Sequence, residues 1–437
     1  MRHGTAQPVV TRDFTQFADA LTQNSRRLRS LFYDAFSVWG VGTAWLDRWP
    51  LQKRRDILKS VQFDDVMPGL VKFTVKRECG FGQPDKARGI QAYPNLATQE
   101  FYARTTYALQ KAFGGWLGWR QTVLSGVRVT FASGLGSEDL GRWMADVLAE
   151  GPVVFYERDG KRWDSTMGRL THDLKMCAYR ACGVPDGYLA FVEGGFAVRG
   201  QHVSEQGVLR YRLVGTTKSG HNDTTLGNSI INAAIASEAC FALGLNADVL
   251  VCGDDLLVAV RGDFDANALA AYESGFGIIP SYRKFLSYRH VSFISGAWFA
   301  DGMSGFVFTP KPGRLLAKLF WTVNPPRGSR SDYLGGVVAG LRAVVGLMPV
   351  LRVFLHIHCP IGDYRAIGKA HLIYRNAPQV AVSMDEFCAR YGVSVDAVLD
   401  FESHLLSLEG HVGLVSHGLI DAINAVDLVD VEDRMTH

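Results

Sequence analysis

The chain is short of charge, of cysteine and of long apolar runs, and each shortage removes a class of protein. Only 20% of its 437 residues are charged while 47% are hydrophobic, which excludes a disordered polyelectrolyte and leaves ample material for sizeable cores. The seven cysteines (Cys79, Cys177, Cys182, Cys240, Cys252, Cys359, Cys388) are scattered and odd in number. They fit reduced thiols in a cytosolic compartment better than a disulfide framework. Cys177 and Cys182 are close, but no matching Cys or His pair follows at zinc spacing, so core packing is expected there. Met1-Arg-His-Gly leads into polar residues without an apolar stretch, so no signal peptide is expected. The most apolar long segment, Tyr333 to Leu355, is broken by Arg342, Pro349 and Arg352, and a spanning helix needs about 20 mostly apolar residues. It reads as a buried helix, with contact at a membrane surface as the lesser alternative. There is no internal repeat and no low-complexity tract. A net charge of +3 is compatible with a nucleic-acid partner without arguing for one.

What is present is a chain long enough for about three domains of ~150 residues, with strands and helices mixed in the middle and helices dominating both ends. Helical spacing is expected over 12–38, 50–62, 95–114, 137–149, 165–181, 222–243 and 264–275, and again from Gly313 onward. Residues 151–158 and 291–299 read as strands, and 186–215 as strand and loop. Val71 to Ile90 reads as strand, glycine-rich loop and strand, with cations at Lys72, Lys76, Arg77, Lys86 and Arg88. Strand alternation would put Lys72 and Lys76 on one face. Such a cluster suits a polyanion, although a solvated basic hairpin would read the same way.

The organising stretch is Ala247 to Val260, where two apolar runs flank Gly253-Asp254-Asp255. Runs of that kind predict a hairpin with two adjacent carboxylates at its turn. Turns favour Asp and Gly on backbone grounds alone, so the motif needs partners before it means chemistry. Two stand upstream. Asp159 ends an apolar strand, with Asp164 five residues on. If that strand lies beside the hairpin, Asp159 meets Asp254 and Asp255 at one sheet edge. Three carboxylates there could hold two divalent cations about 3.5–4 Å apart, the geometry of nucleotidyl transfer. The second partner is Ser219-Gly220-x3-Thr224-x3-Asn228. Thr224 and Asn228 share a helix face, and a bridge from Asn228 through a ribose 2′-hydroxyl to Asp164 is chemically natural. A site built to bond a hydroxyl can reject the analogue lacking it by up to ~10⁴–10⁵, which would select ribonucleotides.

In that order, Asp159-x4-Asp164, Ser219-Gly-x3-Thr224-x3-Asn228 and apolar-Gly253-Asp-Asp-apolar resemble motifs A, B and C of viral RNA-dependent RNA polymerases of positive-strand viruses. Val75-Lys76-Arg-Glu78 with Asp85-Lys86-Ala-Arg88-Gly-Ile90 resembles motif F, Phe276 to Lys284 motif D, and Val291 to Gly296 motif E. The style is closest to tombusvirus-like and nodavirus-like enzymes. Lys86 stands where those families more often have proline, and motif E lacks their usual cysteine.

The resemblance implies an α+β right-hand polymerase with an antiparallel-sheet palm and helix-rich fingers and thumb. The N-terminal region and fingers would occupy 1–150, the palm 151–310 with a fingers insertion at about 183–222, and the thumb 311–437. Asp159 and Asp254 would be the principal metal ligands, Asp255 an auxiliary one, with Mg²⁺ as the cofactor and Mn²⁺ as a substitute. Asp164, Thr224 and Asn228 would sense the ribose, and Ser219-Gly220 would accommodate template and nucleotide. Lys76, Lys86 and Arg88 would grip the triphosphate. Lys284 would be the general acid, with Arg283 competing for that role. Lys72, Phe293 and Ser295 would contact RNA, residues 293–296 steadying the 3′ end.

The implied activity is RNA-directed RNA polymerase, with RNA template, nascent RNA and NTPs as partners. Other viral replication proteins would recruit a chain without its own transmembrane segment to membrane-associated complexes in the host cytoplasm. The rivals are a reverse transcriptase-like enzyme and a non-catalytic RNA-binding palm. Against the first, Val251-Cys-Gly precedes Asp254 in place of an aromatic-x-Asp-Asp pattern; against the second, no carboxylate is missing.

Overall fold

The structure is a computed structural model that describes residues 9–39, 46, 51–60, 66–75, 89–303, 305–319, 321, 329–345, 347–358, 382–408 and 415–428. It is a mixed α/β protein whose sheets are mainly antiparallel. Two compact units divide it: the described residues up to 133 with 152–284, and residues 134–151 with those from 285 onward.

The first unit is built on a six-stranded sheet. Its strands are β3 (Gln121–Leu124), β4 (Val127–Phe131), β5 (Val153–Gly160), β8 (Ala247–Cys252), β9 (Asp255–Arg261) and β10 (Pro280–Phe285), in the order β10-β5-β9-β8-β4-β3. β8 and β9 form the expected antiparallel hairpin, and β5 pairs antiparallel with β9. The β4–β8 pairing is parallel, so the sheet is mixed where a purely antiparallel one was expected. The near-continuous apolar run of β8 follows from its interior place, for Ala247 to Val251 are all buried. The helix Thr224–Ala242 packs on β8 and is buried on nearly every side, which is why it reads as apolar all round.

A second sheet of the same unit has the order β2-β1-β6-β7, from β1 (Leu70–Val75), β2 (Gly89–Ala92), β6 (Ala197–Ser204) and β7 (Gly207–Val214). In the second unit, β11 (Ser292–Phe293), β12 (Gly296–Ala300) and β13 (Phe306–Pro310) make a small antiparallel sheet. The helix Ser137–Ala149 packs on β13 and anchors there: Trp298 Nε1 donates to the Leu140 carbonyl at 2.8 Å. Helices dominate the rest of that unit, as expected.

Several expectations need correction. The hairpin β3–β4, strand β10 and strand β13 do not stand out in the sequence. Residues 186–194 form a helix, not strand or loop, because Tyr188, Phe191 and Val192 recur at helical spacing and are buried. The helix expected over 165–181 is two pieces, Trp163–Thr166 and Arg169–Ala181, parted at the extended Met167 and Gly168. The strand expected over 291–299 is two strands with a turn at Ile294-Ser295. The buried helix expected over 333–355 is likewise two, Arg330–Val345 and Leu351–Ile357. Among the described residues, no helix is long and apolar enough to cross a membrane. Cys182, Cys240 and Cys388 are buried free thiols and Cys177 a half-buried one.

Candidate active site

Strand register brings the acidic motifs to one end of the six-stranded sheet. β5 runs antiparallel to β9 with Arg158 opposite Leu256, so continuing the ladder by one step sets Asp159 opposite Asp255. Cys252 pairs with Asp255 across a two-residue turn, where Gly253 takes a φ of 66°. That left-handed angle suits a glycine at the first central position of such a turn and strains any residue with a Cβ. Asp159, Asp254 and Asp255 are all exposed at this edge. Cys252, just inside it, has its thiol pushed up to about 12 by burial and then by the charges of Asp255 and Asp254.

The turn is held from behind by the helix Thr224–Ala242, through residues that the sequence motifs do not include. Gly253 N–H donates to Ser229 Oγ at 2.7 Å. Asn232 Nδ2 donates to the carbonyls of Gly253 at 3.1 Å and Asp255 at 3.4 Å. The Asn232 carbonyl oxygen accepts from Arg158, the residue before Asp159, and Arg158 makes two 3.0 Å bonds to the buried carboxylate of Glu273. Thus one side chain ties the strand carrying Asp159 to the turn carrying Asp254. Polar residues at 229 and 232 in an otherwise apolar helix were the available signal.

The residues expected to sense a ribose close on one another. Asp164 accepts from the Ser219 hydroxyl at one carboxylate oxygen and from Asn228 Nδ2 at 3.1 Å at the other. Burial raises the pKa of Asp164 and the charge of Asp254 adds to that, while the bonds from Ser219 and Asn228 oppose it. Asn228 and Ser229 are adjacent on one helix, the first bonded to Asp164 and the second to the Gly253 turn, so the three segments meet there. Thr224 behaves otherwise than expected. Its hydroxyl turns back to the Lys218 and His221 carbonyls at 2.9 Å each, and the hydroxyl that meets Asn228 is that of Thr217, at 3.3 Å. Gly220, at φ 119°, sits where a Cβ would run into the Ile90 side chain.

Lys284 and Arg283, in the same unit, are engaged elsewhere. Lys284 on β10 pairs with Asp263, and that hydrogen bond raises its pKa. The Ser281 hydroxyl donates to the Asp159 carbonyl at 3.3 Å, so Lys284, three residues further along the strand, is about 10 Å away from that level. Arg283 is engaged with Glu157 at 2.6 Å. Two exposed cations, Lys161 and Arg162, stand between Asp159 and Asp164 in the chain. Phe293 is buried on Trp298, with ring centroids 6.4 Å apart, while Ser295 is exposed on the turn of its hairpin. Lys72 is exposed on β1; Lys76, Lys86 and Arg88 lie outside the described residues.

Carboxylate oxygens are the donors that a hard divalent cation takes, so Asp159, Asp254 and Asp255 fit such an ion in kind. Among the described residues, no three His, Cys, Asp or Glu side chains are close enough to share one. The match in donors is therefore not a preformed cage.

Comparison with known proteins gives the class. Residues 132–277 match the family model described as viral RNA dependent RNA polymerase. The matched span is about a third of the chain, and it holds Asp159, Asp164, the Ser219–Asn228 segment and the Gly253-Asp254-Asp255 turn. Over those residues the chain is similar to viral RNA-dependent RNA polymerases. No curated protein matches the chain.

Proposed function

We propose that this chain replicates a viral RNA genome, adding ribonucleotides from NTPs to an RNA 3′ end by two-metal-ion nucleotidyl transfer. Asp159 and Asp254, with Asp255 beside them, would hold divalent cations, Mg²⁺ by preference and Mn²⁺ as a substitute. Bound there, such ions lower the pKa of an attacking hydroxyl and neutralise charge on the departing phosphate oxygens.

The chain's own residues do the selecting. Asn228 and Ser219 hold the Asp164 carboxylate in place, and an entering 2′-hydroxyl would exchange into that bonded set. A deoxynucleotide would leave a polar group without its partner, which is the costly outcome. Asn232 and Ser229 keep the acidic turn from shifting as substrate enters. Lys76, Lys86 and Arg88 would take the triphosphate. For Lys284 to serve as proton donor it would have to leave Asp263 and move along the strand.

In this reading the six-stranded sheet is the palm, the β2-β1-β6-β7 sheet belongs to the fingers, and the helical C-terminal part is the thumb. RNA-directed synthesis at a membrane-associated complex would need partner proteins for recruitment.

The observation that carries the proposal is the Asp164–Ser219–Asn228 group joined through the helix Thr224–Ala242 to the Gly253-Asp254-Asp255 turn, inside the family-matched span. The test is incorporation of NTPs against dNTPs on a defined RNA template, without primer and with one, in Mg²⁺ or Mn²⁺. NTP-specific extension that Asp254→Asn abolishes while RNA binding survives is the expected result. Preference for dNTPs would make it a reverse transcriptase, and RNA binding without any incorporation a non-catalytic palm.

A further inference from the structure

The sheet β2-β1-β6-β7 carries a charged face that the reading above does not use. In register, Lys72 stands beside Gln201 and Gln201 beside Arg210; in the next row Leu70 stands beside Arg199 and Arg199 beside Arg212. Residues so paired point to the same side of a sheet, so Lys72, Arg199, Arg210 and Arg212 share one face. All four are exposed, and none makes an ion pair among the described residues. Arg199 and Arg212 are directly opposed, an arrangement that costs stability unless something negative lies over it. The only carboxylate of the β6–β7 hairpin is Glu205, in its turn.

Apolar side chains are interleaved with the cations. Val203 faces Val208 and Ala197 faces Val214 on the same side, with Val203, Val208 and Val214 more than half exposed. The opposite face is different: His202 Nδ1 bonds the Phe73 carbonyl at 3.1 Å and its ring meets the Phe73 ring edge-on.

The charged face is also joined to the site. Ile90, opposite Thr74 and so on the same side as Lys72, fills the space at Gly220. Gln91 N–H donates to the Ser219 carbonyl at 2.7 Å. From the other direction, Lys218 Nζ bonds the carbonyls of Gly195 at 2.9 Å and Gly215 at 2.7 Å, the two roots of the β6–β7 hairpin. Sheet and nucleotide-accommodating loop are therefore tied together.

We propose that this face is a track for single-stranded RNA, on which Lys72, Arg199, Arg210 and Arg212 hold phosphates and the valines lie against bases, leading to the Ser219-Gly220 loop. It rests on the polymerase reading. Cations two residues apart on a strand are about 6.8 Å apart and neighbouring strands about 4.8 Å, a flat lattice suited to a splayed strand more than to a duplex with its recessed grooves.

The test uses the full chain carrying Arg199→Ala, Arg210→Ala and Arg212→Ala together, with the triple Arg→Lys form as a charge-keeping control. Thermal melting verifies that both fold. Binding of a labelled single-stranded RNA is followed by anisotropy across a salt series, with a duplex of equal length in parallel. Every phosphate no longer neutralised by the protein lowers the log–log salt slope by about 0.7 for a single strand. The Ala form should therefore fall by about 2 in slope and bind roughly 100-fold more weakly at 0.1 M salt, while the Lys form keeps most of the slope. An unchanged slope, or equal losses for duplex and single strand, would overturn the track. NTP incorporation by the wild type separates the two readings. Incorporation with an unchanged Ala-form slope removes the track alone; Arg-dependent RNA binding without incorporation removes the polymerase alone.

Discussion

The strand β8 carries an aspartate near its start and leads into two at its other end, and the protein treats the two ends in opposite ways. Asp248 is wholly buried and takes bonds from three guanidinium groups: Arg120 at 2.8 and 3.1 Å, Arg128 at 2.9 and 2.7 Å, and Arg261 at 2.7 Å. Burial alone would raise its pKa, and the three arginines outweigh that and hold it low. Asp254 and Asp159 are exposed and form no ion pair among the described residues. The same side-chain type is thus spent on cohesion at one end and left available at the other. Neutralised charge is a mark of structure; charge kept open at the edge of a rigid hairpin is a mark of chemistry.

Substitutions at the two ends should separate these roles. Asp254→Asn should lower incorporation by about 10³-fold or more, in keeping with several kcal/mol of transition-state stabilisation, with an unchanged melting temperature. Asp248→Ala should do the reverse: it strands three half-buried cations and should cost about 3–5 kcal/mol in denaturant unfolding, while the folded fraction still polymerises. If Asp248→Ala left stability intact, the contrast would fail.

The clamp between the two carboxylate strands should show an intermediate effect. Asn232→Ala should reduce kcat by roughly 10–100-fold with little change in KM for NTP, since it loosens the positioning of the turn and not substrate binding. Asn232→Asp sharpens the point. It can still meet Arg158 but cannot donate to the Gly253 and Asp255 carbonyls, so a full rescue by Asp would show that the hairpin bonds are unimportant. Asn228→Ala should narrow the preference for NTP over dNTP by roughly 10-fold, read from the ratio of kcat/KM values.

The smallest expected effect is in pH dependence, and its sign differs between the two environments. The depressed pKa of Asp248 contributes stability present above its unfolded value and lost as pH falls through the folded one. The raised pKa of Asp164 contributes stability present below the unfolded value and lost as pH rises through the folded one. Asp164→Asn should therefore raise the melting temperature slightly at neutral pH and not in acid. A rise of equal size at both would sink the assignment.

Much of the site is legible in the sequence because its motifs are local. Gly253-Asp-Asp between apolar runs can hardly be anything but a hairpin, and Asp159 at the end of an apolar strand does lie next to it. Asn228 and Asp164 were expected to meet through a ribose hydroxyl, and in the structure they bond directly. Elsewhere local pattern misleads. Thr224 shares a helical face with Asn228, yet its hydroxyl finds the loop carbonyls closer. Lys284 follows the right residues in sequence but sits too far along β10 and meets Asp263. Strands as short as β3 and β13 have too few residues for a period to stand out, and they exist because neighbouring strands complete their hydrogen bonds.

Residue order alone thus determined the acidic turn, its apolar walls, the helix behind it and the likeness of 132–277 to viral RNA-dependent RNA polymerases, because each depends on side chains a few positions apart. Tertiary structure decided which carboxylate is neutralised and which is left open, that Ser229 and Asn232 brace the turn, and that four distant cations share one sheet face. Those outcomes depend on strand order and register, which pair residues up to more than a hundred positions apart and are set by the packing of the whole sheet.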